Sequence, residues 1–252
     1  MTTEQPTRST ATIPAQAGPA SHLDVLRGAP LFSGLDAADI DAVLGRFSTL
    51  RVPLGERVFR QGEDTEPALF VVLEGKISLT RDSDHGDHTM LAVLGPGQMC
   101  GELSVFDPGP RLSSATALSD ATVARLGRPD LLTWIVGRPV IAERLLQVLA
   151  RRLRRTNDTI SDLIFTDVAG RLAKTLLELG ERFGRTLPSG GVQVDHGLTQ
   201  GELAQLVGST RETVSKSLAD FAHRGWVVLG TRTLHLVDRA ALAKRAGLVP
   251  RG

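Results

Sequence analysis

Four things are scarce in this chain of 252 residues, and each scarcity closes off a class of function. It holds one cysteine, Cys100. A single thiol excludes an intramolecular disulfide, a cysteine-built zinc site and the several thiolates that an iron–sulfur cluster needs. No apolar run approaches the ~18 residues of a membrane-spanning helix, and a cytoplasmic, membrane-free protein is the expectation. Net charge is low, +1 from 29 basic and 28 acidic residues, so the whole-chain balance does not announce nucleic acid. Catalytic motifs are missing too: there is no GxSxG and no Walker loop. The run Ser83 to His88 (SDHGDH) places His85, Asp87 and His88 close together, but it reads as a solvated hairpin turn and not as a metal site. Neither an enzyme nor a metalloprotein is expected.

What is there suits one or two compact domains plus connections, with 41% hydrophobic and 23% charged residues. Residues 1–21 are rich in Thr, Pro, Ala and Gln and hold almost no large apolar groups, so they are expected to form a disordered tail. A signal peptide would need a continuous apolar core, which is missing. Residues 247–252, ending LVPRG, look like the remnant of an expression tag.

The organising stretch runs from Pro139 to Phe165. Ala142, Leu146, Leu149, Leu153, Thr156, Ile160 and Leu163 are spaced alternately by four and three residues, the seam of a two-stranded coiled coil. Thr156 is its one polar step, and Asn157 follows. A polar residue on an apolar seam costs stability and asks for a reason, such as register or a ligand. The plainer alternative is an amphipathic helix packed on its own domain.

Upstream, two short helical patterns lie between His22 and Arg46. Then the period changes to two, and short apolar strands such as Leu69 to Gly75 and Lys76 to Thr80 are punctuated by glycine. That pattern predicts a small antiparallel barrel or jelly roll. Its most informative part is GELSVFDPGPRLSSATAL, Gly101 to Leu118. Gly101 permits close backbone approach, a helical turn from Glu102 aims N–H groups at an anion, and Arg111 offers a fork of donors suited to phosphate. Glu102 can accept from a ribose hydroxyl. A structural ion pair between Glu102 and Arg111 is the alternative.

Downstream, Phe165 to Gly184 reads as a helix with Leu172, Leu176 and Leu179 on one face, followed by a Pro/Ser/Gly loop to Gly191. Leu198 to Trp226 then carries a helix-turn-helix signal. Thr199 and Glu202 form a capping box, Leu203, Leu206 and Val207 face inward, Gly208 turns, and Thr210 caps a second helix buried through Val214, Leu218 and Phe221. Arg211, Glu212, Ser215 and Lys216 remain outside near its start, where such helices reach base edges. Arginine matches the two acceptors of guanine, and glutamate accepts from the cytosine amino group. The alternative is a decorated, solvated helix start. Trp226 to Gly230 and Thr233 to Val237 alternate as a hairpin wing, with Trp226 as core packing.

These features together resemble the CRP/FNR regulators, over roughly residues 22 to 245. FDPGPR, ARRLRRTN, SDLIFTDV and ADFAHRGW read like the actinobacterial cyclic-AMP receptor branch. The resemblance implies an α+β chain: a cyclic-nucleotide-binding β jelly roll (22–138), a long dimerisation helix (139–165) and a winged helix-turn-helix (166–246). It implies a homodimeric DNA-binding regulator with cyclic AMP as allosteric ligand, an inverted-repeat operator, and RNA polymerase as a further partner. The phosphate and ribose would be held by Gly101, Glu102, Leu103, Arg111 and Ser113, and the adenine by Thr156 and Asn157. The DNA-contacting set would be Thr199, Gln200, Ser209, Thr210, Arg211, Glu212, Thr213, Ser215 and Lys216. Three positions depart from the pattern. Leu112 stands where cyclic-AMP binders usually carry Ser or Thr, which leaves open a different nucleotide or a vestigial pocket in a ligand-independent regulator. Lys216 replaces an arginine of some relatives, and Gly201 a longer polar side chain.

Overall fold

The computed structural model describes residues 11–12, 22–188 and 190–248. The rest of the expected tail and the tag remnant beyond Leu248 lie outside these residues. The chain divides into two compact units, 1–81 with 93–151 and 82–92 with 152–252.

In the first unit, β1 (Ala11–Thr12) pairs antiparallel with β2 (Ser48–Val52), Ala11 opposite Thr49 and Thr12 opposite Ser48. Both residues lie within the stretch expected as a disordered tail. An edge strand offers unpaired N–H and C=O groups, and a short segment can satisfy them through its main chain alone. Helices α1 (His22–Gly28) and α2 (Ala37–Leu44) follow. Asp36 caps the latter by accepting from the Asp39 amide at 2.7 Å, satisfying one of the free N–H groups of the first turn.

The strands are then β3 (Arg57–Phe59), β4 (Ala68–Glu74), β5 (Ile77–Asp82), β6 (His88–Leu94) and β7 (Met99–Cys100). After a one-turn helix α3 (Glu102–Phe106) come β8 (Ser114–Ala117), β9 (Ala121–Gly127) and α4 (Arg128–Gly137). They form two sheets, β1-β2-β9-β4-β7 and β3-β8-β5-β6, the two-layer solution by which antiparallel strands hide an apolar face. Six consecutive residues of β4, Ala68 to Leu73, are buried, because α1 and α4 pack on it from outside the sandwich. A strand covered on both faces loses the period-two signal.

Helix α5 (Pro139–Phe165) is one continuous helix. Ile141 and Leu145 are buried, whereas Leu146, Leu153, Ile160 and Leu163 are 65%, 62%, 52% and 49% exposed. The face that Ile141 and Leu145 pack within the first unit is thus a different face from the apolar seam.

In the second unit, α6 (Val168–Phe183) is capped by Asp167, and buries Leu172, Leu176 and Leu179 as its period predicts. β10 (Gly184–Thr186), β11 (Val192–Asp195), α7 (Gln200–Val207), α8 (Arg211–His223), β12 (Val227–Leu229), β13 (Thr233–Leu236) and α9 (Arg239–Arg245) complete it. The sheet order is β10-β11-β13-β12. The segment expected as an open loop after α6 therefore begins with a strand, and the wing is a four-stranded sheet instead of a lone hairpin. Among the described residues no helix is long and apolar enough to cross a membrane.

Candidate functional site

Two clusters of chemistry stand out, one in each unit. The first is built on Gly101. Its φ of 84° is the left-handed conformation, which L side chains avoid. An added Cβ would meet the Ala68 carbonyl at 2.5 Å. The glycine therefore lets the backbone press onto β4 and turn sharply into α3.

Arg111 returns to the same place across the Pro-Gly-Pro loop. It is only 5% exposed, and among the described residues the hydrogen-bond partners of its guanidinium are neutral. Nη1 donates to the Ser104 hydroxyl and to the Gly101 carbonyl (3.3 Å), and Nη2 to the Glu66 carbonyl (3.4 Å). Nε, also buried, has no hydrogen-bond partner among the described residues. The guanidinium lies over Phe59, 4.6 Å from the ring centroid, and 5.8 Å from that of Phe70, which are cation–π distances. Burial pulls its pKa below the ordinary arginine value; Cys100 opposes this, Arg125 adds to it, and Glu63 and Glu102 oppose it. A buried cation with only neutral, partly long hydrogen bonds has strong electrostatic potential to offer an anion.

The structure brings Gly101, Glu102, Leu103 and Arg111 together in this cradle. Glu102 is 1% exposed and its charge acts on Arg111, while Arg111 hydrogen-bonds the turn through Ser104 and Gly101. Leu112 is 58% exposed and Ser113 half-buried. The Ser114 hydroxyl is already engaged, accepting from the Gln61 amide at 3.0 Å. Phe59, Phe70 and Ser104 were not among the expected site residues; Ser104 lies inside the cassette and its position was the available signal. Thr156 and Asn157 are exposed on α5, in the second unit, and the Thr156 hydroxyl donates to the Arg152 carbonyl at 3.1 Å.

The second cluster is the start of α8. The Thr199 hydroxyl accepts from the Glu202 amide (3.2 Å) and the Glu202 carboxylate accepts from the Thr199 amide (2.7 Å), a reciprocal capping box. Gly208 ends α7 at φ 70°, and Thr210 caps α8 by accepting from the Thr213 amide. Leu203, Ala204 and Val207 are the buried residues of α7. Leu206, expected to face inward, is half-buried, and Ala204 takes the inner place. Gln200, Thr210, Arg211, Glu212 and Lys216 are exposed, as is Thr199, while Ser209, Thr213 and Ser215 are half-buried. Trp226 is also half-buried and stacks on Phe221, with centroids 5.4 Å apart.

Comparison with known proteins covers the segments that hold both clusters. Residues 49–136 match the cyclic nucleotide-binding domain and residues 170–245 the Crp-like helix-turn-helix domain. A CRP-like cAMP-activated global transcriptional regulator of Mycobacterium tuberculosis is 47% identical over 223 residues, 88% of this chain and 99% of that protein. The cyclic AMP receptor protein of Thermus thermophilus is 38% identical over 88% of this chain and 98% of its own length. Among solved structures, a CRP/FNR-family transcriptional regulator from the same organism has a TM-score of 0.62 at 30% identity, covering 81% of this chain and all of that one. The chain therefore belongs to the CRP/FNR family: it is a DNA-binding transcription regulator with a cyclic-nucleotide-binding domain, and not an enzyme.

Proposed function

We propose that this regulator is a cytoplasmic homodimer gated by cyclic AMP. The observation that carries the reading is Arg111: a guanidinium buried between two phenylalanines, held only by neutral acceptors, beside a left-handed glycine that opens a helical turn. Such a site is suited to a cyclic phosphate. Gly101, Glu102, Leu103, Arg111 and Ser113 bind phosphate and ribose, and Thr156 and Asn157 meet the base. The description of the Mycobacterium tuberculosis relative as cAMP-activated supports the same ligand.

The exposed seam of α5 supports the dimer. A row of half-exposed leucines and isoleucine along one helix is a surface that a second copy covers. Two copies of α8 then enter successive major grooves about 34 Å apart, so the operator is an inverted repeat. Ligand shifts the balance between two settings of the long helices by its differential affinity for them.

Calorimetric titration with cyclic AMP beside cyclic GMP tests this. Saturable micromolar heat with cyclic AMP is expected, and no heat with either ligand would reject the gating. The rival, a ligand-independent regulator, draws on one observation: Leu112, next to Arg111, offers no hydroxyl to a phosphate. It predicts equal operator affinity with and without nucleotide.

A further inference from the structure

Arg171 lies in the first turns of α6 and directs its guanidinium at three backbone carbonyls. Nη1 donates to Thr166 O at 2.7 Å, Nε to Val207 O at 3.0 Å and Nη2 to Gly208 O at 3.0 Å. Thr166 closes the end of α5, its amide donating to Asp162 O at 2.9 Å. Val207 is the last residue of α7, and Gly208 is the turn of the helix-turn-helix. Carbonyls at a helix C-terminus lack intrahelical donors and carry the negative end of the dipole. A planar fork of donors satisfies several at once, whereas a lysine ammonium is a point charge on a flexible stem.

Two further contacts give this fork a direction. A Cβ added at Gly208 would lie 3.0 Å from Leu163 Cδ2, so the turn abuts a seam residue of the long helix. On the far side of the turn, the Ser209 amide donates to Ala204 O at 3.0 Å, and Thr210 caps the recognition helix. α6 itself is fastened to α5 by Lys174 and Asp162, and to α9 by Asp167 and Arg245.

We infer that Arg171 is a positioning residue, fixing the turn of the helix-turn-helix to the end of α5 so that the recognition helix follows the C-terminal part of the long helix as one body. This deepens the gating reading by naming the mechanical link it requires. A ligand that resets α5 changes the placement of α8 only while that link holds.

The test uses the full chain carrying Arg171→Gln and, separately, Arg171→Lys. Three readouts are taken: calorimetric affinity for cyclic AMP, amide hydrogen exchange at Ser209 to Thr213, and operator affinity by fluorescence anisotropy with and without cyclic AMP. Both variants are expected to bind cyclic AMP within about twofold of wild type, the cradle residues Gly101 and Arg111 belonging to the other compact unit, and to exchange the turn amides at least about tenfold faster through local opening. The ratio of operator affinities with and without ligand should fall towards one from the roughly 5- to 150-fold typical of coupled sites. Arg171→Lys keeps the charge and should not rescue. Wild-type exchange at the turn, a wild-type ratio, rescue by lysine, or faster exchange throughout the chain together with lost cyclic AMP binding would each overturn the inference. If wild type itself ignores every nucleotide, the gating reading fails and the exchange at Ser209 to Thr213 alone decides the role of Arg171.

Discussion

The Ser104 hydroxyl stands between Arg111 and Gly101, accepting from the guanidinium and donating to the glycine carbonyl at 3.1 Å. One arginine thereby holds the turn that would receive a phosphate, and it is also the cation that would face it. Arg111→Ala should abolish the nucleotide response and leave basal operator binding intact. Charge-assisted hydrogen bonds contribute about 1.5–3 kcal/mol each, so loss of two predicts at least about a hundredfold weaker cyclic AMP binding by calorimetry. Loss of operator binding as well would show that the two roles are not separate.

The seam of α5 makes a second prediction. Leu153 is 62% exposed, so a charge there is harmless to a lone chain and costly only when a second helix covers it. Leu153→Glu should preserve the circular-dichroism spectrum while shifting the sedimentation coefficient from dimer to monomer at micromolar concentration. A dimer that persists would place the interface elsewhere.

At the reading head, Arg211 is exposed in the first turn of α8. Arg211→Ala should cost about 1–3 kcal/mol at the base pair it reads and flatten preference at that position. Selection from a randomised operator library measures it. A uniform loss across all sequences would instead mean a phosphate contact.

Asp167 supplies a pH signature. The hydrogen bond from Arg245, then that from the Gly170 amide, pull its carboxyl below the ordinary value of 3.8. A depressed folded pKa contributes stability that is present above the unfolded value and lost as pH falls through the folded one. Asp167→Asn keeps a capping oxygen but loses the ion pair. Its melting temperature should therefore lie slightly below wild type at pH 7 and converge on it as pH drops below 3.8. The pair is largely solvated, so the gap is small. Asp167→Ala also removes the cap and should cost about 1 kcal/mol at pH 7.

The long helix, the cassette and the capped helix-turn-helix were legible because each writes its geometry locally. The four-three spacing from Ala142 to Leu163, the glycine before Glu102 and the pair Thr199 and Glu202 are short-range signals. The strands β10 and β11 were not. Gly184 to Thr186 is exposed throughout and has no alternation to read, while Val192 and Val194 make too short a run to stand out. Phe59 and Phe70 come to Arg111 from separate strands, and only the closed sandwich brings them there. Arg171 reads as an ordinary polar helix residue, because its partners are carbonyls, which every residue carries.

The hydroxyl of Thr156 has its proton turned inward to Arg152 O. What it shows to the outside is oxygen lone pairs. A base seated against it in the proposed complex must therefore bring a hydrogen of its own. The exocyclic amino group of adenine does so; guanine could do so only through its N1–H or 2-amino group, since its keto oxygen would confront lone pair with lone pair. Discrimination between the two purines would then rest on which edge of the base each brings to Thr156.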